Sequence, residues 1–151
     1  MAGVSRNPRS VVVPACRLTR TVVTQSITNN TATAITFDNE AFDTDSMHST
    51  VSNTSRITIN TAGVYHFSAA VSGVSSAATQ IIVSFRKNGS QVGFTTNNGE
   101  VAGTDSQTNS LIWDAVAGDY FEAFAYVYKL AGGPYTFTGA YFAAARIGAI
   151  V

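Results

Sequence analysis

From residue 20 onward, apolar and polar residues alternate with a period of two, and clusters of Asn, Gly and Ser interrupt the alternation at short intervals. In 63–71, Tyr65, Phe67, Ala69 and Val71 fall on one side, with His66 and Ser68 on the other. In 80–87, Ile81, Val83 and Phe85 oppose Ser84 and Arg86. Successive side chains of an extended chain point to opposite faces, so this pattern predicts strands with one face on a core. The expected strands are 20–27, 33–37, 56–60, 63–71, 80–87, 91–96, 110–116, 120–129 and 135–146. Thr, Val, Ile and aromatic residues dominate them, Leu18, Leu111 and Leu130 are the only leucines, and no segment carries a 3.6-residue apolar stripe. The domain is therefore expected to be all-β. Asn88-Gly89 is a type I′ hairpin signal, because both central residues of that turn take positive φ. Short strands joined by short turns predict a sandwich or jelly roll, and the lack of an internal repeat argues against a solenoid or propeller.

Two late strands depart from the inside/outside rule. Along 120–129, Phe121, Ala123, Ala125 and Val127 share one face, while Tyr120, Phe124, Tyr126 and Tyr128 share the other, interrupted only by Glu122. In 135–146, Phe137 and Tyr141 lie on one face and Phe142 with alanines on the other. A solvated face is not this aromatic, so both faces are expected to be covered, the outer one by a second sheet or a neighbouring subunit. Composition favours the subunit. Charged residues are 12% of the 151-residue chain, against roughly 25% in an ordinary soluble domain, and the net charge is zero. The 45% hydrophobic content excludes wholesale disorder, and the length fits one domain with its own core.

The charges are unevenly placed. Arg6, Arg9, Arg17 and Arg20 are the only charged residues among the first 20, which leaves five basic and nine acidic side chains in the rest. Residues 1–19, with Pro8 and Pro14 and no periodicity, read as a basic extended arm, and residues 20–151 as a mildly acidic body. Such a body lacks the clustered positive face that nucleic acid requires. Cys16 is alone and forms neither an internal disulfide nor a zinc site. No apolar run approaches the roughly 20 residues of a membrane span, and Val11-Val12-Val13 ends at Pro14, too short for a secretory signal. Synthesis in a cytoplasm, with no membrane partner, is expected.

No catalytic constellation emerges. His48 and His66 are the only residues suited to base catalysis near neutral pH, and neither a G-x-S-x-G elbow nor a glycine-rich loop before a helix occurs. No catalytic residue, cofactor or small-molecule substrate is assigned. Asp38, Glu40, Asp43, Asp45 and His48 make the densest acidic stretch, and its carboxylate oxygens at alternating spacing could hold Ca²⁺, but solvated loop carboxylates are the commoner reading and no metal is assigned. For sugar recognition, Tyr135 beside Gly132-Gly133-Pro134 is the best loop aromatic, because Trp113 reads as strand.

The string SRITINTAGVYHF at 55–67 is followed by Asn88-Gly89, then AGDYFEAF at 117–124, then FTGAYF at 137–142. This resembles the globular head of the C1q family within the C1q/tumour-necrosis-factor superfamily, and the run 20–49 resembles the single-domain form met in bacteriophages and bacteria. The resemblance covers roughly residues 16–146. It implies a ten-strand jelly-roll sandwich that assembles as a homotrimer, with Tyr65, Phe67, Tyr120, Phe124, Tyr126, Tyr128 and Tyr141 as interface candidates. Gly63 and Gly118 would suit tight turns, Asp119 would cap the turn before strand 120–129, and Gly139 would permit close backbone approach. No collagen-like Gly-X-Y repeat is present. The function implied is a non-enzymatic virion protein, a capsid decoration protein or surface knob, docking on the major capsid protein or another virion protein through Arg6, Arg9, Arg17 and Arg20. The other reading is a trimeric receptor- or glycan-binding head on a fibre or bacterial surface appendage.

Overall fold

The computed structural model describes residues 12–21, 24–76, 80–98, 102–130 and 133–150. Twelve strands and no helix occur among them: β1 (Ala15–Arg20), β2 (Gln25–Ile27), β3 (Thr33–Ala34), β4 (Asn39–Asp43), β5 (Arg56–Thr58), β6 (Gly63–Ser76), β7 (Gln80–Lys87), β8 (Ser90–Asn98), β9 (Ala102–Ala115), β10 (Tyr120–Tyr128), β11 (Tyr135–Phe137) and β12 (Gly139–Gly148). Two five-stranded antiparallel sheets face each other, one ordered β4-β1-β12-β6-β9, the other β3-β10-β7-β8 with β5 beside β3 on β10. A small sheet, β11-β2, closes one end, and Ile27, Tyr135 and Phe137 bury themselves beneath it.

The core follows the period-two pattern. Tyr65, Phe67, Ala69 and Val71 of β6 meet Ile81, Val83 and Phe85 of β7 and Phe121, Ala123, Ala125 and Val127 of β10, all buried. Phe67 stacks on Phe121 with centroids 4.1 Å apart. Phe142 lies 6.0 Å from Phe37, 5.8 Å from Phe85 and 6.3 Å from Phe67, so one aromatic cluster joins both sheets. Asn109 is the polar stitch between the layers: its Nδ2 donates to the Val83 carbonyl at 3.0 Å, which satisfies a side chain only 9% exposed.

Four expectations need correction. The boundary at residue 19 falls earlier, because Ala15–Arg20 is an interior strand held by β12 on one side and β4 on the other, with Cys16 and Leu18 fully buried. The strand expected over 135–146 is two strands in different sheets, and Phe137 points into the core instead of sharing a face with Tyr141. Tyr135, the loop aromatic proposed for sugar contact, belongs to β11 and is 1% exposed. Gly63 is not a turn residue. It opens β6 where a Cβ would collide with the Arg146 side chain and the Gly148 carbonyl oxygen at 2.7 Å. Gly118 does make a turn, with φ +94°, and at Gly139 a Cβ would meet Ser72 Oγ at 2.7 Å.

Candidate interaction surfaces

The Asn88-Gly89 hairpin has φ of 50° and 85° at its two central residues, as a type I′ turn requires. It also docks on the Gly118-Asp119 turn. Asn88 Nδ2 donates to Asp119 Oδ1 at 2.8 Å, the Tyr120 amide donates to Asn88 Oδ1 at 2.9 Å, and the Asn88 amide donates to the Tyr120 carbonyl at 2.9 Å. The Val116 amide and Lys87 Nζ both reach Asp119 Oδ2 at 2.9 Å. Burial alone would raise the Asp119 carboxyl, but the Val116 amide, the Asn88 amide and the Lys87 ammonium outweigh it and hold the group below the ordinary carboxylate range.

The acidic residues of β4 tie down the loop that follows it. Both carboxylate oxygens of Asp43 accept backbone N–H groups, from Asp45 at 3.1 Å and His48 at 3.0 Å. The His48 ring, fully buried, lies between Glu40 Oε1 at 2.9 Å and the Thr54 carbonyl at 3.2 Å. Among the described residues, no three His, Cys, Asp or Glu side chains converge as a metal site. Residues of this loop line a hollow of about 270 Å³, among them Ser46, Ser49, Ser52 and Asn53, with Arg56 and Asn60 beside them.

The interface candidates fall into three groups. Tyr65 and Phe67 are fully buried within the single chain, so they offer no surface and leave the interface set. Tyr120, Phe124, Tyr126 and Tyr128 lie together on the outer face of β10. That face is partly roofed by its own chain: the Arg56 guanidinium sits 4.0 Å over Tyr120, Arg86 sits 3.8 Å over Phe124, and Tyr126 donates to Asn30 Oδ1. Tyr141 is on the opposite side of the sandwich, on β12, with Arg17 5.7 Å over its ring.

The sheet carrying Tyr141 presents a face that sequence reasoning missed. The strand registers place Phe42, Arg17, Ala143, Ser68 and Ser110 in one outward row, and Asn39, Thr19, Tyr141, Ala70 and Thr108 in the next. A third row holds Ala15, Ala145, His66 and Ile112. Across these rows Arg17 is the one fixed charge, the centre is alanine and serine, and Phe42 and Ile112 stand 48% and 60% exposed. The signal was present in the sequence as small residues alternating with core residues, but it appears only when strands distant in sequence are laid side by side.

Of the proposed docking arginines, Arg6 and Arg9 lie outside the described residues. Arg17 and Arg20 are corrected from arm to sheet: Arg17 covers Tyr141, and Arg20 Nη1 donates to the Thr36 carbonyl at 2.9 Å and to Thr36 Oγ1 at 2.6 Å.

No family model and no curated protein matches the sequence. Solved structures do match its fold. The globular domain of zebrafish complement 1qA protein superposes with TM-score 0.66 at 16% identity, covering 91% of this chain and 99% of that one. Eiger TNF from S. frugiperda gives 0.65 at 8% identity, covering 92% and 95%, and murine APRIL gives 0.64 at 10% identity, covering 90% and 100%. With its antiparallel sheets and aromatic core, the chain has the C1q/TNF-like jelly-roll fold.

Proposed function

We propose that the chain is a non-enzymatic structural head that assembles as a homotrimer and decorates a bacteriophage capsid, with the sequence preceding β1 as its attachment. The observation that carries the assembly step is the outward face around Tyr141, Ala143, Ala145, Ser68 and Ala70. Small side chains let a neighbouring surface approach closely, and a near-absence of charge removes the desolvation penalty that usually protects an exposed sheet. Exposed apolar side chains at its two margins, Phe42 and Ile112, extend the contact. Attachment through the N-terminal side is supported by Arg6 and Arg9, which precede β1 with no acidic residue among them. The virion setting is supported by the resemblance of residues 20–49 to the phage-type single-domain form.

Light scattering during size exclusion tests the assembly: a species at three times the 15.9 kDa chain mass is expected, and a stable monomer would overturn the reading. Docking is tested by removing residues 1–11, a cut that spares β1. The truncated protein should keep its mass and lose binding to capsids stripped of the native protein; undiminished binding would refute attachment through this segment.

A second reading, a receptor- or glycan-binding head, is favoured by one observation, the hollow lined in part by hydroxyl and amide side chains of the loop after β4. A glycan array probed with the intact protein decides it, and a flat response removes it.

A further inference from the structure

The outer face of the second sheet carries three charged side chains in a single row. Arg56, Glu122 and Arg86 are directly opposed across β5, β10 and β7. Glu122, 8% exposed, accepts from Ser55 Oγ at 2.7 Å and from Arg56 Nε at 3.4 Å. Arg86 turns away from it. Among the described residues the ion pairs are His48–Glu40, Arg56–Glu122 and Lys87–Asp119, and Arg86 takes part in none. Its guanidinium instead lies 3.8 Å over Phe124, with Nε buried and without a hydrogen-bond partner. The row therefore holds two cations to one carboxylate, and the surplus charge resides on Arg86.

We propose that Arg86, mounted on Phe124, is an anchoring site for a carboxylate of an acidic peptide segment on a partner protein. The sign of the surplus selects an anion. Stacking on Phe124 holds the guanidinium plane in place before binding, so little side-chain freedom is lost when its remaining N–H groups form charge-assisted bonds to a carboxylate. Half-buried Ile82 and Tyr126, opposed to each other one row beyond Phe124, give the aliphatic part of the ligand an apolar contact. Arginine and tyrosine are also among the residues that carry most binding energy at protein contacts. The site is on the sheet opposite the small-residue face, so it does not depend on the assembly reading.

The experiment titrates the full chain, isotopically labelled, with a blocked pentapeptide carrying one glutamate between leucines, with the same peptide carrying glutamine, and with sialyllactose. The glutamate peptide should move the amide resonances of residues 84–86 and 122–126 and bind about tenfold more tightly than its glutamine twin. Arg86→Gln should erase that difference without changing the mass in solution, and Arg86→Lys, which keeps charge but loses the planar stack, should retain only part of it. Equal binding of the two peptides, or no response in these residues, would overturn the proposal. A response to sialyllactose alone would overturn the protein partner in favour of an acidic sugar.

Discussion

Phe67 links rings from both sheets of the aromatic core, in contact with Tyr65, Phe121 and Phe142. Phe67→Ala is expected to lose about 3–5 kcal/mol of stability, read from urea denaturation, because the ring bridges both sheets and the cavity it leaves is walled by aromatics that do not collapse. Cys16 makes a different kind of prediction. Burial, reinforced by the charge of Asp43, pushes its thiol up to about 12. The folded protein should therefore resist thiol reagents at pH 8 and react once denatured. The unfolded thiol ionises first, so this contribution is complete below the ordinary value of 9.0 and is lost as pH rises toward about 12. For Asp119 the sign is opposite. Its lowered carboxyl contributes stability above the ordinary carboxylate range and loses it as pH falls through the folded value. Asp119→Ala should flatten the acid limb of a Tm-against-pH curve and remove roughly 1–3 kcal/mol by freeing the Val116 and Asn88 donors. The alternation at Tyr65 and Phe67 identified which face they share; it carried no information on what covers that face, which is why a core pair stood among the interface candidates.

At the scale of elements, the strands with several alternating positions were legible, and β1 and β4 were not. β7 begins and ends where the pattern predicts, at Gln80 and Lys87. β1 offers only Cys16 and Leu18 as inward positions, too few for a period, and it is recruited between β12 and β4 by tertiary pairing. β4, Asn39–Asp43, is an edge strand with two acids and no buried residue, a composition that protects an edge and hides a strand from pattern reading. The knot between the Asn88 hairpin and the Gly118 turn joins two motifs seen separately in the sequence, about 30 residues apart. Gly73 carries the test at this scale. A Cβ there would meet Tyr135 Oη at 2.7 Å, the Thr136 carbonyl at 2.9 Å and Phe137 Cα at 3.0 Å. β11 crosses β6 at this point, so Gly73→Ala should destabilise by about 1–3 kcal/mol and loosen the β11-β2 pair first, seen as faster amide exchange at Ser26 and Thr136.

For the whole molecule, the two proposals assign assembly and recognition to opposite outer faces. Ala143→Arg places a second cation beside Arg17 in the middle of the small-residue face and should shift the protein to monomers in light scattering, with its circular dichroism unchanged. Arg86→Gln on the opposite sheet should leave the mass alone. If both variants dissociate, the faces are not independent. The aromatic surplus of β10, read from sequence as a demand for a neighbouring subunit, is met in part by Arg56 and Arg86 of the same chain. No sequence pattern reveals that, because a cation on a neighbouring strand covers a ring as effectively as another subunit does.

The place of β1 between β12 and β4 has a mechanical consequence. A tether pulling on residue 12 draws β1 along its own axis, while its ladders to both neighbours resist sideways to the pull. All of those bonds bear load together, a shearing geometry that holds until the whole strand gives way. Tension between residue 12 and residue 150 acts differently, because Pro14 and Arg146 leave the same end of the paired strands and the bonds would open one at a time. In a force experiment the chain should withstand markedly more when pulled between residue 12 and Leu130, beyond the far end of β10, than between residues 12 and 150. A head held by its N-terminal side is thus fastened through a strand that is loaded in shear on both edges.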